Sequence, residues 1–246
     1  MSSIPKPRLR LYVPDDLETG ARIVLGPDQG HYVQHVMRGQ AGEAVALFNG
    51  RDGQWTGRIA AMTKKAVEIA AESQSRPQTA EGDLWLLASP LKKDCTDLVA
   101  EKAAELGVSL LWPVGTERTV AGRINADRIE ARLREAAEQC ERLSLPGLRP
   151  LTPLPTVLGQ WPTERVLIHL DETGGPPLKT VLESLPAATP LALLVGPEGG
   201  FSPGERALLA KLPFVRAASL GPRILRAETA AIAALAVIQA VAGDWH

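Results

Sequence analysis

About a third of the way along this chain the pattern of apolar residues changes. From Leu84 onward short, mainly apolar runs recur: LWLLA from Leu84, LLWPV from Leu110, VLIHL from Val166, LALLV from Leu191 and VRAASL from Val215. Strands buried on both faces need such continuous runs, and strands that alternate with helices give a parallel sheet covered on both sides. The intervening segments read as helices over Asp94–Leu106, ended by Gly107, over Ala126–Leu143, capped by Asn125, over Leu178–Ser184, and onward from Pro203. An alanine-rich helix follows Arg226, with Ile232, Leu235, Ile238 and Val241 as its apolar stripe. The expectation for this part is an α/β fold.

The earlier part reads differently, as short strands and turns. Strands are expected at Arg8–Val13, Arg22–Leu25, Glu43–Phe48, Gln54–Met62 and Lys65–Ala71, with Asn49-Gly50 and Asp52-Gly53 as turns and one helix near Asp28–Arg38. That pattern fits a small β-barrel. The polar stretch ESQSRPQTAEGD, Glu72 to Asp83, separates the two parts, giving expected domains of residues 1–74 and 75–246.

At 246 residues and 45% hydrophobic the chain can bury a core, and no apolar run approaches the roughly 20 residues needed to cross a bilayer. The opening MSSIPKPRLRLYV has no apolar stretch of signal-peptide length, so a soluble cytoplasmic protein without a membrane partner is expected. Cys95 and Cys140 lack zinc-motif spacing and read as isolated thiols. His31 and His35 have i, i+4 spacing but no evident third ligand, so no metal is expected. The formal net charge of −1 does not announce a nucleic-acid binder. Local patches do more: Lys6, Arg8 and Arg10 precede every acid, and Arg8 and Arg10 fall on one face of a strand. Two readings stand for that face, a solvated surface or a phosphate contact.

Two glycine-and-proline elbows carry the functional signal: LVGPEGGFSPGE, Leu194 to Glu205, and LGPRILRAETA, Leu220 to Ala230. Each follows an apolar run and precedes a helix, which places both at strand ends where open α/β sheets bind ligands. Ser202, Pro203 and Glu205 satisfy a capping-box helix start. A structural turn accounts for those three residues and leaves Glu198 unexplained, a carboxylate inside a glycine loop. A phosphate loop is disfavoured, since Glu198 would repel phosphate and neither GxxxxGK[ST] nor GxGxxG occurs. A ligand with hydroxyls, amines or positive charge fits better. The second elbow adds Arg223, Arg226 and Glu228, for which a local ion pair is the competing reading.

These elbows resemble the paired C-terminal motifs of the RsmE-type ribosomal RNA methyltransferases, SPOUT-class enzymes that methylate N3 of a uridine in 16S rRNA. HYVQHVMRGQAGE from His31, LVAEKAAELGVSLLWPVGTER from Leu98 and EAAEQCERLSLPGLRP from Glu135 resemble further family segments in the same order. The resemblance implies a PUA-like barrel that helps hold RNA, a SPOUT domain with a C-terminal trefoil knot, and a homodimer acting on 16S rRNA of the small ribosomal subunit. It implies S-adenosyl-L-methionine as cofactor, touching His169, Leu170, Val195, Gly196, Glu198, Gly199, Gly200, Leu220, Gly221, Ile224, Leu225 and Arg226. Ala227 stands where many relatives carry threonine, so no catalytic hydroxyl is available there.

Methyl transfer to uridine N3 requires loss of a weakly acidic proton, with negative charge spreading onto the flanking carbonyls. Arg226 is the expected donor to that charge. Glu198 and Glu228 are the candidate proton acceptors, with cofactor binding favoured for Glu198 and orientation of Arg226 the alternative for Glu228. Lys6, Arg8, Arg10, Arg38, Lys92, Lys93, Arg118 and Arg123 are the candidate RNA contacts. The ribose methyltransferases of the same class carry a Ser-Leu-Asn motif that this chain lacks.

Overall fold

The computed structural model describes residues 7–63, 66–120 and 122–245. Lys6 and Lys65 lie outside them. Two units are distinguished, one of Met1–Ala80 with Ala137–Leu145, the other of Glu81–Ala136 with Pro146–His246.

In the first unit β1 (Leu9–Tyr12), β2 (Arg22–Val24), β3 (Ala44–Phe48), β4 (Gln54–Met62) and β5 (Val67–Arg76) form a sheet of order β1-β3-β4-β5-β2. β1 runs parallel to β3, and the remaining pairs are antiparallel. Alternate side chains enter one core that includes Leu9, Leu11, Val45, Leu47, Ile59, Val67 and Ile69, the period of two expected of half-buried strands. Two features depart from expectation. β5 continues through the polar ESQSR to Arg76, because pairs such as Thr56 with Ser73 and Gln54 with Arg76 extend the ladder along β4 whatever the side chains. The expected helix near Asp28–Arg38 is a short α1 (Pro27–His31) that widens into a π-turn over Tyr32–Val36.

The second unit holds β6 (Leu84–Ala88), α2 (Lys93–Glu105), β7 (Leu110–Gly115), α3 (Ala126–Gln139, whose last residues count with the first unit), β8 (Gly147–Leu148), β9 (Thr152–Pro153) and α4 (Leu154–Gly159). It continues through β10 (Val166–Leu170), α5 (Leu178–Glu183), β11 (Leu191–Val195), α6 (Pro203–Leu209), β12 (Val215–Ala218) and α7 (Ala227–Ala242). The sheet order is β12-β10-β11-β6-β7-β8, and every pairing in it is parallel. β11 is buried along its whole length: Leu191, Leu193 and Val195 face the core shared with α2, α3, α5 and α7, while Ala192 and Leu194 face the core under α4 and α6. The two-faced burial is what its unbroken apolar run requires.

Caps close the elements as the sequence implied. Asn125 Oδ1 accepts from the Arg128 amide at 3.0 Å. α2 ends in a Schellman motif, Gly107 N to Ala104 O at 3.3 Å and Val108 N to Ala103 O at 2.9 Å. On α7 the buried positions are Ala227, Glu228, Ala231, Ala234, Leu235, Ile238 and Gln239, so Leu235 and Ile238 of the expected stripe are buried while Ile232 and Val241 are only partly so. A three-residue repeat drifts off one face of a 3.6-residue helix, and spacings of three and four alternate instead.

Candidate functional site

Three adjacent strands, β12, β10 and β11, end on the same side, and both elbows rise from those ends. Around them lies a cavity of about 740 Å³, within the range of small-molecule and cofactor sites.

The first elbow leaves β11 at Val195. A Cβ on Gly196 would lie 2.8 Å from the buried ring of Phe201, and Gly200 takes a left-handed backbone, φ +65°, which side chains rarely adopt. Both positions therefore call for glycine. The capping box then starts α6: Glu205 N donates to Ser202 Oγ at 3.1 Å and Ser202 N to Glu205 Oε2 at 2.8 Å. The other carboxylate oxygen of Glu205 accepts from Glu117 N at 2.8 Å, and Arg118 Nη1 donates to the Gly199 carbonyl at 2.8 Å. The loop is thus held from below and from the side. The second elbow leaves β12 and turns where Ser219 Oγ accepts from Gly221 N at 3.1 Å, before Arg226 takes the N-cap position of α7.

Among the expected cofactor contacts, Leu170, Val195, Gly196, Glu198, Gly199, Gly200, Leu220, Gly221, Ile224, Leu225 and Arg226 line this cavity, as does Glu228. His169 does not. It is 3% exposed, packs edge-on against Phe201 with ring centres 4.7 Å apart, and burial lowers its pKa despite Asp171 and Glu172 nearby. Its place is beneath the first elbow, supporting Phe201.

The RNA candidates divide. Lys92 lines the cavity, Arg118 braces the first elbow, and Lys93 and Arg123 flank a separate hollow. Arg8 is exposed, with Nη2 on the Met37 carbonyl and Nε 3.6 Å from Glu43, while Arg38 is exposed in a left-handed backbone, φ +52°. Arg10 is committed inside its own unit: it stacks 3.8 Å above Phe48 and donates to the carbonyls of Ala137 and Arg142. Burial, then repulsion from Arg76, lowers its pKa to about 10. Alternation placed it on a strand face without showing that the end of α3 covers that face.

Sequence reasoning missed Asp171, Glu172 and Cys95, all of which line the cavity. The first two directly follow β10, and that position was their only signal. Burial raises the Asp171 pKa, but hydrogen bonds from Thr173 N and Oγ1 outweigh it, so the net shift is downward. Cys95 carried no signal: burial and then the neighbouring Glu228 raise its thiol pKa, with Glu198 and Arg226 also within electrostatic range. Those three elbow residues thus converge around one thiol. His31 and His35 lie with ring centres 4.7 Å apart, and among the described residues no group of three potential metal ligands comes together. No helix among them is long and apolar enough to cross a membrane.

Residues 78–239 match the model of the RNA methyltransferase domain, and residues 25–72 match that of the RNA methyltransferase PUA domain. A ribosomal RNA small subunit methyltransferase E from Rickettsia conorii is 30% identical over 231 residues, 94% of each chain. The chain belongs to the ribosomal RNA small subunit methyltransferase E family. Another member of that family, from Synechocystis, is 31% identical over 243 residues, 94% of this chain and 77% of that one. The crystal structure of the family member from Neisseria gonorrhoeae bound to S-adenosyl methionine superposes with a TM-score of 0.88 at 26% identity, covering 97% of this chain and 99% of that one. A putative methyltransferase from Legionella pneumophila in complex with the bound cofactor SAM gives 0.86 at 33% identity, covering 96% and 98%. As a family member the protein is a methyltransferase of the α/β class with a separate PUA-like domain.

Proposed function

We propose that the protein transfers the methyl group of S-adenosyl-L-methionine to N3 of a uridine in 16S rRNA of the small ribosomal subunit, acting in the cytoplasm as a homodimer. The observation that carries this reading is the single cavity at the ends of β10, β11 and β12, into which both elbows bring Glu198, Arg226 and Glu228. The cavity fits the cofactor: the backbone of the Gly196–Gly200 loop lines it, and Asp171, Glu172 and Glu198 supply acceptors for hydroxyl and ammonium groups. When bound, the cofactor supplies an electrophilic methyl on a sulfonium, so catalysis by the chain rests on positioning and on charge stabilisation.

Arg226 donates to the uracil carbonyls as N3 loses its proton, and Glu228 receives that proton or orients Arg226. Glu198 binds the cofactor. Arg8 and Arg38 in the barrel, and separately Lys92, Lys93, Arg118 and Arg123 in the α/β unit, are the RNA contacts. Arg10 is left out, because its donors are occupied. A trefoil knot in the C-terminal region is supported by the strand order, in which β12 lies across β10 from β11, and by the bonds from Ser219 N to Pro176 O at 2.9 Å and from Leu178 N to Ser219 O at 3.0 Å. The homodimer is supported by apolar side chains left in solvent, Ile224 at 84% and Trp245 at 53% exposure.

The test offers methyl-labelled cofactor with small subunits, and separately stripped 16S rRNA, that lack the modification, followed by nucleoside mass analysis. Label in N3-methyluridine is expected. Label on a ribose 2′-oxygen, or tight cofactor uptake without transfer to either substrate, would overturn the assignment.

A further inference from the structure

Lys92 and Lys93 are neighbours in sequence and belong to different hollows. Lys92 lines the large cavity, whereas Lys93 lines a second concavity of about 210 Å³ between the first turns of α2 and α3. Its charged residues are Lys93, Arg123, Arg128 and Asp97. Arg128 is spoken for, with Nε donating to Asp97 Oδ2 at 2.9 Å and Nη2 to the Lys93 carbonyl at 3.1 Å. Arg132 Nε stands 3.7 Å from the same carboxylate, so Asp97 is balanced twice over. Lys93 and Arg123 remain, both exposed and, among the described residues, without an acidic partner.

A smaller, mainly apolar recess adjoins the concavity. Ser89 is 3% exposed, and its Oγ has no hydrogen-bond partner. It lines a recess of about 20 Å³ that shares Pro90, Leu91, Thr96, Ile124 and Ile129 with the concavity. Buried hydroxyls nearly always find a partner, and a recess of this size has room for a single water, apart from the anion seat between Lys93 and Arg123. The hollow falls below the roughly 300 Å³ of pockets that enclose a drug-sized ligand, which suits a small anionic group. The first amides of the 14-residue α3 add to the attraction for an anion.

We propose that this concavity is a phosphate subsite for the substrate RNA, seating one backbone phosphodiester between Lys93 and Arg123 while the target nucleotide enters the neighbouring cavity beside Lys92. The inference rests on the RNA methyltransferase reading. Such a contact fixes register without reading sequence, which is what a strand crossing from one hollow to the next requires.

The test compares the parent with a Lys93→Ala, Arg123→Ala double variant and with a charge-matched control, Lys179→Ala with Lys211→Ala, whose residues line neither hollow. RNA binding is followed against salt, alongside KM and kcat for RNA and the cofactor Kd. The double variant should lose about 0.7 from the slope of log K against log salt, the share of one phosphate on a single strand. Its KM for RNA should rise several-fold, more than kcat falls, with cofactor Kd unchanged. The control should match the parent, and a Lys93→Arg, Arg123→Lys swap should restore the slope. A parental slope and KM in the double variant, or an equal loss in the control, would overturn the subsite. So would inorganic phosphate binding that depends on Lys93 and Arg123 while the RNA slope stays parental, which would assign the hollow to a free anion. A parent that methylates no RNA refutes the underlying reading as well, whereas an active parent with an unaffected variant removes only the subsite.

Discussion

Arg226, Glu228 and Glu198 share one cavity yet meet solvent differently, Glu228 being nearly buried and the other two exposed. Removing a donor aimed at developing charge costs about 10²–10³ in kcat in comparable sites, so Arg226→Ala should lower kcat on that scale while cofactor Kd stays within a few-fold. Single-turnover methylation with parallel cofactor titration checks it, and a variant that methylates at the parent rate would remove Arg226 from the chemistry. His169 makes a different prediction. Burial lowers its pKa, so the unfolded chain binds the proton more tightly than the folded one. The neutral ring is favourable to folding above the ordinary value of about 6.5, and that contribution is lost as pH falls through it toward the lower folded value. His169→Leu should flatten the acid side of the stability profile, measured by urea denaturation between pH 8 and pH 5. Arg10 belongs at this scale too, since its loss would uncover the Phe48 face and take one donor from each of the carbonyls of Ala137 and Arg142. Arg10→Met should destabilise the barrel unit by about 2–4 kcal/mol and leave the salt slope for RNA unchanged.

The elements show how local rules and site geometry meet. Ser202 and Glu205 start α6 with reciprocal bonds, and Glu205 also holds Glu117, so one carboxylate ties a helix start to the segment after β7. Ser202→Ala should cost about 1 kcal/mol, as N-cap losses typically do. Glu205→Ala should cost more and should also weaken cofactor binding, because the Gly196–Gly200 loop leads directly into this helix. Denaturation and calorimetric titration on the two variants separate the effects, and equal cofactor Kd values for both would disconnect Glu205 from the loop. β5 teaches the converse lesson. Its last residues are polar and exposed, but backbone pairing with β4 extends the strand to Arg76.

At the scale of the whole molecule, each unit has its own core, and the cavity at the ends of β10, β11 and β12 is lined wholly by the second. A ligand that binds only the folded form stabilises by about 2.7 kcal/mol at one hundred times its Kd. S-adenosylmethionine should therefore raise the melting temperature of the α/β unit and slow hydrogen exchange across residues 195–200 and 220–228. The barrel strands should keep their exchange rates. Uniform protection of both units would contradict a cavity confined to one of them.

Sequence alone determined whatever depends on neighbours along the chain. Unbroken apolar runs required a sheet covered on both faces, Ser202 and Glu205 required a capped helix, and the glycines of the two elbows required close backbone approach. Those rules marked most of the cavity lining, because a ligand site at strand ends is built from the residues that follow the strands. Tertiary structure alone decided what depends on residues far apart. The order β12-β10-β11 brought Asp171 and Glu172 into the site, and α2 delivered Cys95 beside Glu228. Residues 137–145 count with the first unit, and Arg10 donates to carbonyls there, so it is spent within the fold. Lys92 and Lys93, indistinguishable in sequence, were assigned to separate hollows because Lys92 caps α2 with an extended backbone while Lys93 is its first helical residue. Periodicity can predict that a side chain faces outward, but which distant backbone it then meets is set only when the elements pack.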